Sequence, residues 1–160
     1  MRVAFLDLDH TLLVADSNQL WMTYLQSLSM VSSAEFALHE QFMDDYANGV
    51  LDFSALQLFR AELEGSLVPE KLKKLRGAFE HDILLPAIAP HAPQLLEELG
   101  ARGLTTVVVS ATRSSLVDPV AGYLRVNHTI TSCFGQDKVH QVEAWLKGFG
   151  EIGRASCRER

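Results

Sequence analysis

Arg2-Val3-Ala4-Phe5-Leu6-Asp7-Leu8-Asp9-His10-Thr11 lies at the start of the chain and decides how the rest is read. Val3 to Leu6 is continuously apolar, the pattern of a central parallel strand covered on both faces, so residues 2–8 are read as a strand. The strand runs into a polar cluster of Asp7, Asp9, His10 and Thr11. Much later the chain repeats the design. Leu104-Thr105-Thr106-Val107-Val108-Val109-Ser110 is rich in β-branched residues and gives way to Ser110, Thr112, Arg113 and Ser114.

Between these two strands the apolar period is helical. Ser17 or Asn18 caps a helix carrying Leu20, Trp21, Tyr24, Leu25 and Leu28. Ser32 or Ser33 starts a second, with Phe36, Phe42 and Tyr46. Asp52 caps a third, with Leu56, Leu58, Phe59 and Leu63, and Gly65 stops it. Pro69 suits the first turn of a fourth, through Leu72, Leu75 and Phe79. Trp21, Phe36, Phe42 and Phe59 are read as core of this helical stretch. Pro86 and Pro90 mark a connector. A helix over Ala92–Arg102, the second strand, a helix over Leu116–Leu124, a strand over Val126–Thr131 and a helix over Asp137–Leu146 complete the order. Strands alternating with helices imply right-handed parallel crossovers, hence an α/β fold with a doubly wound parallel sheet. The expected domains are a core from residues 1–13 and 86–150, and a helical insertion over 14–85. Ligands of such sheets bind at the carboxyl ends of strands, where both polar clusters fall.

The net charge of −6, with no block of Lys or Arg, argues against nucleic acid or an anionic membrane as partner. The apolar start is interrupted by Asp7 and Asp9, too short and too charged for a signal peptide or membrane span, so a cytoplasmic protein is expected. Cys133 and Cys157 give no disulfide framework. His39, His81, His91, His128 and His140 show no metal-ligand spacing. Residues 151–160 hold one large apolar residue and no regular period, and they resemble the translation of a sequencing adapter. They are expected to be a non-native tail and stand outside the fold reasoning.

Asp7 and Asp9 are two residues apart at a strand end, so both side chains can point to one side. Phosphomonoester hydrolysis can use such a pair. One carboxylate attacks phosphorus, and the other protonates the leaving alkoxide and then activates water. A hard divalent cation shields the nucleophile from the phosphate's charge.

Phe5-Leu6-Asp7-Leu8-Asp9-His10-Thr11-Leu12-Leu13 resembles the first motif of the haloacid dehalogenase (HAD) superfamily. The resemblance implies Asp7 as nucleophile and Mg²⁺ ligand, Asp9 as general acid/base whose main-chain carbonyl also binds the metal, and Thr11 as a residue steadying the loop. Val107-Val108-Val109-Ser110-Ala111-Thr112 resembles the second motif, implying phosphate binding at Ser110 and Ala111. Lys138 in Gly135-Gln136-Asp137-Lys138-Val139 resembles the third-motif lysine. The helical insertion then corresponds to a C1 cap. The resemblance is closest to the phosphoserine-phosphatase-like branch (subfamily IB) and implies a small phosphorylated metabolite, such as phosphoserine or histidinol phosphate, as substrate.

The fourth motif, an acidic pair completing the metal site, is expected after Trp145-Leu146-Lys147, where the suspect tail begins. The polypeptide is therefore expected to be C-terminally truncated, to bind Mg²⁺ weakly and to turn over slowly or not at all. The stretch from Thr131 to Lys138 is also shorter than the branch implies. His10, Asp16, Asn18 and Arg113 are weaker substrate candidates. Helix capping accounts equally for Asp16 and Asn18, and a surface position for Arg113. Cys133 is expected to be buried rather than reactive. A phosphomutase or phosphotransferase would use the same loop. A dehalogenase would not need an acid at Asp9. A receiver-type phosphate-binding module would place its strands at shorter intervals.

Overall fold

A computed structural model describes the backbone of residues 2–158 and the side chains of residues 2–148. In chain order the elements are β1 (Val3–Leu6), α1 (Ser17–Ser27), α2 (Ser33–Ala47), α3 (Phe53–Gly65), α4 (Pro69–Phe79), α5 (Ala92–Ala101), β2 (Thr105–Val109), α6 (Ser114–Tyr123), β3 (His128–Ile130) and α7 (Gln136–Arg158). They form two compact units: Met1–Val14 with Ile88–Arg160, and Ala15–Ala87.

The first unit holds a parallel sheet in the order β1-β2-β3. Val3 registers with Thr105, and Val107 with His128. β2 is the centre, with Val107 and Val108 fully buried, as expected for a β-branched strand flanked on both edges. Val107, Val109, Ile130 and Cys133 form a core against which Val3, Val142 and Trp145 pack. β1 departs from the sequence reading. Its apolar run suggests a covered central strand, yet Phe5 is 41% exposed. Among the described residues β1 has one strand neighbour, β2. Phe5 is sheltered instead by Trp145, edge-on at 6.0 Å.

After Leu6 the chain enters a wide turn closed by Leu13 N–H donating to the Leu8 carbonyl at 3.0 Å. His10 takes the left-handed conformation there (φ 56°). Leu8, Leu12 and Leu13 are buried beneath the turn and anchor it. Where the chain returns from the helices, Ile88 bridges Leu13 in antiparallel fashion, and Ala89 N–H donates to the Leu12 carbonyl at 2.8 Å.

The second unit is helical. Asp16, rather than Ser17 or Asn18, caps α1 by accepting from Gln19 N–H at 2.9 Å. All three neighbours are good cap residues, and Asp16 is the one left in extended backbone. Ser32 and Glu35 form a reciprocal capping box on α2, and Asp52 caps α3. Trp21 and Phe79 stack edge-to-face at 5.0 Å, and Leu25 of α1 is fully buried. Phe42 and Phe59 lie 5.6 Å apart. Buried His39 shares a 3.0 Å hydrogen bond with Gln19.

α7 runs to Arg158, beyond the Leu146 boundary read from sequence. No proline interrupts it, and Gly148 lacks the positive φ seen at Gly49 and Gly103. The expectation of a non-native tail rests on residues 151–160, whose side chains lie outside the described residues.

Candidate active site

The sheet delivers polar side chains to the carboxyl ends of β1 and β2. Asp7 follows β1 directly, in extended backbone (φ −87°, ψ 162°). Its carboxylate is 53% exposed and accepts from Lys138 Nζ at 3.3 Å. Lys138 reaches it from the first turn of α7. That turn is set up by Gly135, whose φ of 58° favours glycine.

Asp9 is half-buried, and its Oδ2 accepts a hydrogen bond from Thr112 Oγ1 at 2.9 Å. Thr112 in turn donates its N–H to Ser110 Oγ at 3.0 Å. Ser110 and Thr112 are each 2% exposed. Because Ser110 Oγ accepts from Thr112, its own O–H proton is available to a further acceptor. Backbone bonds lock the segment. Ser110 N–H donates to the Ile130 carbonyl at 2.9 Å, and Ser132 N–H to the Thr112 carbonyl at 3.0 Å. The Ser110 carbonyl receives the Cys133 N–H at 3.4 Å and the Cys133 thiol at 3.5 Å. Burial pushes the Cys133 thiol above its usual range. Lys138 opposes that shift, and Asp137 and Asp7 add to it.

The structure thus brings Asp7, Asp9, Ser110 and Lys138 to one end of the sheet, with Ala111 between Ser110 and Thr112 in the chain. Thr11 is half-buried in the wide turn and His10 is exposed beside it. Arg113 is the N-cap residue of α6. Asp16 and Asn18 belong to the helical unit, where Asp16 caps α1 and Asn18 is buried. Sequence reasoning named Thr112 only as a polar residue after a strand and gave it no role. The available signal was its spacing. Ser110 and Thr112 repeat, after β2, the two-residue interval of Asp7 and Asp9 after β1.

The Asp7 carboxylate and the Asp9 main-chain carbonyl are hard oxygen donors. Among the described residues, no group of three or more His, Cys, Asp or Glu could hold a metal ion. Such a sparse oxygen set suits Mg²⁺, which keeps several waters and binds through one or two carboxylates plus substrate phosphate. No helix among the described residues is long and apolar enough to cross a membrane.

A profile of the family "haloacid dehalogenase-like hydrolase" matches residues 4–152. The chain is 31% identical to a histidinol-phosphatase of Neisseria meningitidis serogroup C, over 93% of this chain and 76% of that protein. A crystal structure of a protein of unknown function from Bordetella pertussis Tohama I superposes with TM-score 0.78 at 28% identity, covering 93% of this chain and 75% of that one. A phosphoserine phosphohydrolase-like protein from Francisella tularensis superposes with TM-score 0.63 at 19% identity, covering 82% and 58%; at that identity the likeness is one of fold.

Proposed function

Because the chain belongs to the haloacid dehalogenase-like hydrolase family, we propose that this phosphatase hydrolyses a small primary-alkyl phosphate through a phosphoryl group carried on Asp7. One observation carries the reading: Asp7 and Asp9 stand at the end of β1, the first paired with Lys138 and the second held by Thr112. The 31% identity to a histidinol-phosphatase favours histidinol phosphate as the first substrate to try, with phosphoserine second.

In the first step an Asp7 oxygen attacks phosphorus. The bond from phosphorus to the ester oxygen breaks, and that oxygen leaves with a proton taken from Asp9. In the second step Asp9, now a carboxylate, takes a proton from water as the water attacks phosphorus. The bond from phosphorus to Asp7 breaks, and inorganic phosphate departs. Ser110 O–H, the Ala111 N–H and Lys138 hold the phosphoryl oxygens where charge builds. Thr11 steadies the turn between the two carboxylates. His10 and Arg113 are candidates for contacts to the alcohol portion. The Asp7 carboxylate and the Asp9 carbonyl would hold Mg²⁺. When bound, Mg²⁺ supplies charge compensation between nucleophile and phosphate.

The test is rapid quench with a radiolabelled alkyl phosphate, followed by mass spectrometry of the labelled peptide. A phosphoryl group on Asp7 supports the reading. A label on another residue, or hydrolysis without any label, refutes it.

A further inference from the structure

The acid/base in such a mechanism must present its proton in one direction, so the groups that hold the Asp9 carboxylate matter. Asp9 lies in a turn whose next residue, His10, is left-handed without being glycine. That conformation costs a non-glycine residue on the order of 1 kcal/mol and persists only where surroundings hold it. The bond from Thr112 Oγ1 to Asp9 Oδ2, 2.9 Å long, joins residues 103 apart in sequence.

We infer that Thr112 is the positioning residue for Asp9, its hydroxyl fixing the rotation of the Asp9 carboxylate relative to the departing ester oxygen. The inference rests on the function proposed above.

Three features suit Thr112 to this task. Its main chain is fixed at both ends, by its N–H on Ser110 Oγ and by its carbonyl under Ser132 N–H. Its side chain is buried and β-branched, so few rotamers compete with the observed one. A hydroxyl can donate to Oδ2 both when Asp9 is a carboxylate and when its proton sits on Oδ1, so it can serve Asp9 in both protonation states and leave the acid proton free for the ester oxygen. Lysine or arginine in its place would favour the ionised state alone. Because Thr112 also donates to Ser110 Oγ, one residue sets both the phosphate-binding hydroxyl and the acid.

The experiment compares phosphoryl-enzyme formation from two substrates in the full-length protein. An alkyl phosphate needs a proton on its leaving oxygen, and p-nitrophenyl phosphate does not. Thr112→Val keeps the shape and removes the hydroxyl. Its formation rate is expected to fall roughly a hundredfold with histidinol phosphate and no more than about fivefold with p-nitrophenyl phosphate, since general acid catalysis contributes about 10²–10⁴ in rate. Thr112→Ser is expected to restore most of the wild-type ratio between the two substrates. Should valine impair folding, Thr112→Ala removes the same hydroxyl without added bulk. Equal losses with both substrates, or an unchanged alkyl-phosphate rate, would overturn the inference while leaving wild-type labelling of Asp7 intact. Absence of that label in the wild type would instead remove the reading beneath it.

Discussion

Lys138 Nζ lies 3.3 Å from Asp7 Oδ1, across 131 residues of chain, and both side chains are partly open to water (37% and 53%). An ion pair so exposed adds only about 0–1 kcal/mol to stability. In the proposed mechanism its value lies in the charge it offers a phosphoryl group. Lys138→Met is therefore expected to leave the thermal midpoint within a few degrees of wild type and to slow phosphoryl transfer by roughly 10²–10³. Differential scanning calorimetry alongside single-turnover kinetics checks both halves. A collapse in Tm would place Lys138 in the structural framework instead.

The two carboxylates are expected to fail differently. Asp7→Asn should form no phosphoryl-enzyme. Asp9→Asn should still form it, with both formation and hydrolysis slowed about 10²–10⁴-fold. Quenched-flow labelling separates the two outcomes, because only Asp9→Asn leaves a slow burst to observe.

Leu12 is fully buried within the turn that follows β1, and its carbonyl accepts from Ala89. Leu12→Ala is expected to cost about 2–5 kcal/mol, from lost burial and the cavity left behind. Urea unfolding monitored by tryptophan fluorescence measures it. A cost below about 1 kcal/mol would mean that the turn collapses into the space.

The capping box on α2 gives a pH signature. The hydrogen bonds from the Ser32 side chain and then its backbone N–H hold the Glu35 carboxyl below its ordinary range. A lowered folded-state value means that this stabilisation is present above the unfolded pKa and is lost as pH falls through the folded one. Ser32→Ala is expected to cost about 1 kcal/mol at neutral pH and progressively less in acid. Tm measured from pH 7 down to pH 3 should show the gap between wild type and variant narrowing without closing, because Ser32 Oγ also accepts from the Glu35 N–H, which does not titrate.

How much of this was legible beforehand depended on the range of the interaction. β2 could be read from its valines, and the helices from their apolar period and their Ser, Asp and Pro starts. All these signals are local. β3 came out shorter than the Val126–Thr131 reading, at His128–Ile130. The Asn127 side chain replaces a backbone rung: its Oδ1 accepts from both Thr106 N–H and Thr106 Oγ1. The exposure of Phe5 was not legible, because an apolar strand carries no mark of how many neighbours it will have. Of the candidate site, Asp7 and Asp9 announced themselves by spacing at a strand end. Ser110 was marked by its place after a β-branched strand, and its phosphate role, like that of Lys138, came from the family resemblance. The bond from Thr112 to Asp9 was marked only by the shared two-residue spacing after β1 and β2, which does not by itself say that the two side chains meet.

The antiparallel contact of Leu13 with Ile88, backed by Leu12 and Ala89, joins the two places where the polypeptide leaves and re-enters the strand-bearing unit. Partners in such a bridge sit only about 5 Å apart. Whatever is spliced between them need only supply two ends at that separation. The helices of Ala15–Ala87 are therefore spliced into the strand-bearing unit at a single point. Changes in the length or number of those helices need not displace the residues that follow β1, so long as the two ends still meet at Leu13 and Ile88.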